Sequence, residues 1–241
     1  ILRRNAEVLK KIFIDRGFKV SYAMKANSNP MILKLFKSYG FGVDIVSEGE
    51  FKLAQHCGFE GLELNCAGVG KTIEELDLAL DFDIDHFNVE SRFELELLET
   101  RAKIAGKKAA VLLRLNPDID PQTHPHISTG LKQNKFGMSP EKVRHFLTHA
   151  ESYPHIQFDG IHCHIGSQIV QPQPFYDLID YLEQFTSSLR ASGVEFSHID
   201  LGGGFGVNYE DPFEDILQTT PFLESIADRA MEKLGEYQLH I

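Results

Sequence analysis

The chain has 241 residues, 42% of them hydrophobic and 24% charged, enough for one large α/β domain and too apolar for a disordered segment. Its 24 Lys and Arg against 35 Asp and Glu leave a formal charge of −11 with no basic run, which excludes electrostatic capture of nucleic acid. No stretch approaches the roughly 20 continuous apolar residues that cross a bilayer, and no signal peptide is evident, so no membrane partner is expected. Cys57, Cys66 and Cys163 are odd in number and lack CxxC spacing, which fits a reducing cytoplasm.

Eight short apolar or β-branched runs alternate with longer amphipathic stretches: Phe18 to Met24, Val43 to Val46, Leu62 to Cys66, His86 to Val89, Ala109 to Leu115, Phe158 to Ile165, Ser197 to Leu201 and Tyr237 to Ile241. Between them, Glu74 to Leu80 carries Leu76, Ala79 and Leu80 at helical spacing, and Ser91 opens a Ser-x-x-Glu capping box that ends at Glu94. The order predicts a (β/α)8 TIM-type barrel; an open doubly wound sheet has the same local pattern. The polar segment Asn116 to Pro140 is too long for an ordinary connection and is a candidate active-site loop.

In a barrel, ligands sit at the C-terminal ends of the strands. Those ends carry Lys25 and Asn27; Asp44, Ser47, Glu48 and Glu50; Asn65; Asn88 and Glu90; Arg114 and Asn116; His162, His164 and Ser167; and Gly202-Gly203-Gly204. Strand alternation carries Lys25 to the mouth beside an apolar neighbour. A desolvated amine there loses its proton readily and can form a Schiff base with an aldehyde, whereas a lysine snorkelling to solvent would do nothing. The glycine run leaves amides open to a phosphate, or forms a tight turn. His162 and His164 share a face, but no third ligand is spaced to join them, so no metal is expected. His56, His145, His155 and His240 read as ordinary helix, loop or strand residues.

Taken in order, Tyr22-Ala23-Met24-Lys25-Ala26-Asn27, Val43-Asp44-Ile45-Val46-Ser47-Glu48-Gly49-Glu50, Asn88-Val89-Glu90-Ser91, His162-Cys163-His164-Ile165-Gly166-Ser167-Gln168 and Leu201-Gly202-Gly203-Gly204-Phe205-Gly206 resemble the alanine-racemase-fold decarboxylases that use pyridoxal 5'-phosphate (PLP). Within that group, His126-Ile127-Ser128-Thr129-Gly130, Lys135-Phe136-Gly137 and Gly166-Ser167-Gln168-Ile169 are most similar to the diaminopimelate decarboxylases. The resemblance implies that Lys25 holds PLP covalently, that His164 stacks on its ring, and that Ser167 with Gly202, Gly203 and Gly204 binds its phosphate. It puts Arg114 near the phenolic oxygen, and Asp44 and Glu50 on the catalytic wall near Lys25. It further implies an amino-acid substrate and a homodimer of the full-length protein.

The family's eighth strand continues into Glu-Pro-Gly-Arg and a β-rich domain follows, while the chain ends at Ile241. A strand that the family places before the barrel is also missing. A barrel trimmed at both ends, inactive by itself, is therefore expected. Relatives acting on ornithine, arginine or carboxynorspermidine, a non-catalytic PLP-binding barrel and a PLP-free barrel enzyme are the competing readings.

Overall fold

The computed structural model describes residues 1–120, 136–207 and 215–241, the side chains of 215–218 excepted. An N-terminal helix α1 (Leu2–Ile12) precedes eight strands: β1 (Ser21–Ala23), β2 (Gly42–Ile45), β3 (Leu64–Cys66), β4 (His86–Val89), β5 (Ala109–Arg114), β6 (Ile156–His162), β7 (His198–Asp200) and β8 (Gln238–His240). Each of the first seven strands is followed by a helix: α2 (Pro30–Ser38), α3 (Glu48–His56), α4 (Ile73–Asp81), α5 (Arg92–Ala105), α6 (Pro140–Thr148), α7 (Gln173–Arg190) and α8 (Asp215–Leu234).

The strands pair in parallel and in chain order. Lys19 N–H donates to the Leu239 carbonyl at 2.9 Å, and Ser21 N–H to the Ile241 carbonyl at 3.0 Å, so the last strand meets the first and the sheet closes. A doubly wound sheet has no such contact, and the barrel reading holds. Each predicted run overlaps one strand; β2 starts one residue before its run and β6 two residues before. β1 and β3 are shorter than their runs because Met24–Ala26 and Gly61–Glu63 wind into 3-10 turns.

Alternation divides each strand between two environments. Val43 and Ile45, Leu64 and Cys66, and Phe87 and Val89 are buried outward against the helices, while Asp44, Asn65 and Asn88 between them point into the barrel. The same parity on β6 and β7 buries Ile161 and Ile199 outward and turns His162 and Asp200 inward. Apolar burial on the outer face thus fixes which polar residues face the interior.

Helix starts follow local chemistry, with one departure. Thr72 and Glu75 close a reciprocal capping box on α4, and the Ser91 hydroxyl accepts the Glu94 N–H at the start of α5. Glu94 does not complete the box expected there. Its carboxylate accepts the Glu90 N–H at 3.0 Å and pairs with Lys71 at 2.5 Å. Lys71 is nearly fully buried and also donates to the carbonyls of Gly68 and Asn88. The buried ammonium draws the carboxylate away from the cap, since an uncompensated charge there costs more than a cap contributes.

Cys57, Cys66 and Cys163 are free thiols, all buried. Among the described residues no helix is long and apolar enough to cross a membrane.

Candidate active site

The C-terminal strand ends surround a cavity of about 570 Å³, within the range of small-molecule sites. Its walls bring together Lys25, Asp44, Arg114, His164, Ser167, Gly202, Gly203 and Gly204. Asn65, Asn88, Glu90 and His162 also line it. Of the expected site residues, Glu50 alone is not in the wall. Its carboxylate accepts the Val46 N–H at 2.7 Å, and Ser47 Oγ accepts the Glu50 N–H at 3.3 Å. Glu50 therefore fixes the turn that joins β2, which carries Asp44, to α3.

Lys25 is exposed, contrary to the expectation of a desolvated strand-end amine. β1 stops at Ala23, and Met24, only 1% exposed, packs into the apolar core at the start of the following 3-10 turn. The turn lifts Lys25 to the cavity rim. The Tyr22 hydroxyl, donating to the Asn27 carbonyl at 3.0 Å, ties that turn to the strand.

Arg114 ends β5 and forms an ion pair with Glu90, a carboxylate only 4% exposed. The other Glu90 oxygen accepts the Gly137 N–H at 3.1 Å, and the guanidinium lies over the Phe136 ring at 5.4 Å. Met138 N–H donates to the Arg114 carbonyl and Asn116 N–H to the Met138 carbonyl, so the long polar segment is pinned where it leaves and rejoins the barrel. Its interior, including His126-Ile127-Ser128-Thr129-Gly130 and Lys135, lies outside the described residues.

Burial, with Arg114 and Lys25 close by, pushes the His164 imidazole down to about 4, and burial holds His162 well below its usual value. Both rings are neutral at neutral pH. Burial also raises Asp44 to about 7, with repulsion from Asp200 adding to it and Lys25 and Lys71 opposing. Asp200 rises to about 6 for the same first reason, although it accepts the Gly202 N–H at 2.7 Å. Asp200 was not singled out in the sequence, where the adjacent glycines drew attention. The inward parity that marks His162 would have found it.

The glycines divide into two roles. Gly202 and Gly204 have φ of +69° and +96°, and a Cβ on them would lie 2.3 Å from the Cys163 carbonyl oxygen and 1.9 Å from that of Gly166. Close packing on the segment after β6 thus demands both. Gly203 has open space where its Cβ would be, and it lines the cavity. Gly204→Ala is expected to cost about 2 kcal/mol in denaturant unfolding of the cofactor-free protein, through the clash and the positive φ together. Gly203→Ala should leave stability within about 1 kcal/mol of the original.

The description "pyridoxal-dependent decarboxylase, pyridoxal binding domain" matches residues 1–240. The diaminopimelate decarboxylase of Aquifex aeolicus is 41% identical over 209 residues, covering 87% of this chain and 49% of that protein. The Haemophilus influenzae enzyme is 39% identical over 236 residues, covering 98% and 55% respectively. The crystal structure of diaminopimelate decarboxylase from Helicobacter pylori complexed with L-lysine superposes with a TM-score of 0.89 at 35% identity, covering 99% of this chain and 60% of that one. The chain thus spans about half the length of these curated relatives. With the match running from the first residue to the last but one, the chain belongs to the pyridoxal-dependent decarboxylase family, as its pyridoxal-binding domain.

Proposed function

We propose that this chain is the cofactor-holding barrel of a cytoplasmic, homodimeric enzyme that decarboxylates meso-2,6-diaminopimelate to L-lysine and carbon dioxide. The observation that carries the reading is the convergence of Lys25, Arg114, His164, Ser167 and Gly203 on one cavity. The cavity fits PLP on its own terms. Gly203 leaves an open approach to backbone amides, and His162 Nδ1, Asn65 Oδ1 and Asn88 Oδ1 are buried at its wall without a hydrogen-bond partner. Curated relatives named diaminopimelate decarboxylase, and L-lysine in the Helicobacter pylori structure, support the choice of substrate.

Bound PLP supplies an aldehyde for the amine and an electron-poor ring that accepts the electron pair released when the α-carboxylate leaves. Lys25, at the rim, would be the amine that holds the cofactor covalently. Gly203 would offer its backbone N–H to the phosphate, the Gly202 N–H being held by Asp200, with Ser167 as a hydroxyl donor. The neutral His164 ring would lie against the cofactor without adding a competing charge. Arg114, clamped by Glu90, presents a fixed guanidinium to an oxygen of the cofactor. Asp44 faces Lys25 and exchanges a proton near neutrality, and Glu50 acts as a positioning residue for Asp44 by holding the β2 to α3 turn.

The test has two parts. Borohydride reduction with PLP should fix one pyridoxyl group per chain on Lys25, read by peptide mass spectrometry. Carbon dioxide release from diaminopimelate should exceed release from lysine, ornithine and arginine. Absence of label on Lys25 would remove the PLP reading, and preference for another amino acid would replace the substrate. Glu90→Gln is expected to weaken PLP binding about 10-fold, because a neutral amide no longer fixes Arg114 by charge. Absorbance titration measures the change, and labelling at saturating PLP should still reach Lys25.

A further inference from the structure

Beneath the cavity the barrel interior is polar where branched aliphatic side chains usually fill it. Two residues before the inward-facing Asn88 and Asp200, β4 and β7 carry His86 and His198, and β8 brings His240 beside them. His86 and His240 are each 2% exposed. Ring centroids lie 4.6 Å apart for His86 and His198, 5.0 Å for His198 and His240, and 5.5 Å for His86 and His240. One ring nitrogen from each histidine falls within 4.8 Å of the other two. His198 Nδ1 and His240 Nε2 share one contact of 2.7 Å, while His240 Nδ1 is buried without a hydrogen-bond partner.

Carboxylates flank this group. His86 Nε2 lies 3.2 Å from Asp159, and its Nδ1 lies 3.3 Å from Asp85, which also binds Lys19 at 2.8 Å. Two carboxylates and one ammonium leave a negative balance around three imidazoles. The Asp159 carboxylate on Nε2 orients the His86 ring as outer carboxylates orient metal ligands, and Nδ1, buried without a hydrogen-bond partner, is the nitrogen left to ligate once it turns from Asp85. Zinc–nitrogen bonds of about 2.0–2.1 Å in a tetrahedron put ligand nitrogens roughly 3.3 Å apart. The close pair here must open by about half an ångström and the widest separation close by about 1.5 Å, within the reach of ring rotation. An imidazole-rich set suits zinc, cobalt or nickel rather than calcium or magnesium.

We propose that His86, His198 and His240 form a site for one divalent transition-metal ion in the barrel interior, beneath the cofactor cavity. In the closed barrel β4 and β8 are opposite walls, so an ion held there ties them together. It also anchors His240, which lines the cavity floor.

The purified protein, freed of metal by chelation, is titrated with cobalt(II). One equivalent per chain should produce the intense visible bands of a four-coordinate ion. His145 and His149 form a separate ring pair on the surface around α6, with centroids 4.4 Å apart, and give the control. His145→Asn should leave uptake unchanged, whereas His198→Asn and His240→Asn should weaken it by roughly 100-fold or more. No saturable band in the parent protein, or a band that survives both core substitutions, would overturn the site. If the core variants fail to fold by circular dichroism, cobalt-soaked crystals of the parent decide. An anomalous peak among the three rings supports the proposal, and its absence there refutes it.

Discussion

Lys25→Ala is expected to abolish the borohydride-stable PLP label and to lower turnover of the full-length enzyme by about 10³-fold or more. The reason lies in what other amines the cavity offers. Among the described residues lining it, Lys25 is the only lysine. Among the described residues Lys71 bonds two carbonyls of the cavity wall, but its side chain is 3% exposed and its ammonium is held by Glu94 and by those Gly68 and Asn88 carbonyls. Freeing it would leave the Glu94 carboxylate buried and uncompensated, at a cost of about 3–5 kcal/mol. The contacts assigned to phosphate and ring do not involve Lys25, so the variant should still bind PLP without attaching it. A primary amine added to the assay should restore part of the rate, since it replaces the missing nucleophile and no other group. Full turnover, or stoichiometric labelling of a different lysine, would contradict the assignment.

The eight strands were legible because apolar residues recur at every second position wherever a strand packs against helices, and that parity also names the inward residues. Applied to β7 it marks His198 and Asp200 as readily as it marks His162 and His164 near β6. The glycines obscured this, because a triple glycine looks like a ligand cradle although Gly202 and Gly204 are demanded by contact with the Cys163 and Gly166 carbonyls. Lys71 left no signal at all. It stands in a loop without periodicity, and its partner Glu94 already had a plausible local role in a capping box. Long-range pairing of buried charges is invisible to patterns that extend only a few residues. The exposure of Lys25 was likewise hidden, because a strand running two residues further would have buried it, and strand ends are set by where the outward apolar alternation stops.

Asp44→Asn is expected to stabilise the cofactor-free protein at pH 8 by about 3 kcal/mol while impairing catalysis. Burial raises Asp44 to about 7, so between the ordinary carboxylate value near 4 and that point the folded state keeps a proton the unfolded chain has released. Stability from this group is therefore fully present below pH 4, declines as pH rises through about 7, and is lost above it. Asp200, raised to about 6, adds to the decline within the same window. Each carboxylate repels the other, so the double variant Asp44→Asn/Asp200→Asn should gain less than the sum of the single effects. Thermal unfolding at pH 5 and pH 8 measures the slope: the wild-type curve should fall more steeply than the Asp44→Asn curve, and equal slopes would refute the account. An amide of the same shape removes the desolvation penalty but cannot exchange a proton beside Lys25. A carboxylate kept in this wall at such a cost is consistent with selection for chemistry at Lys25 over stability of the barrel.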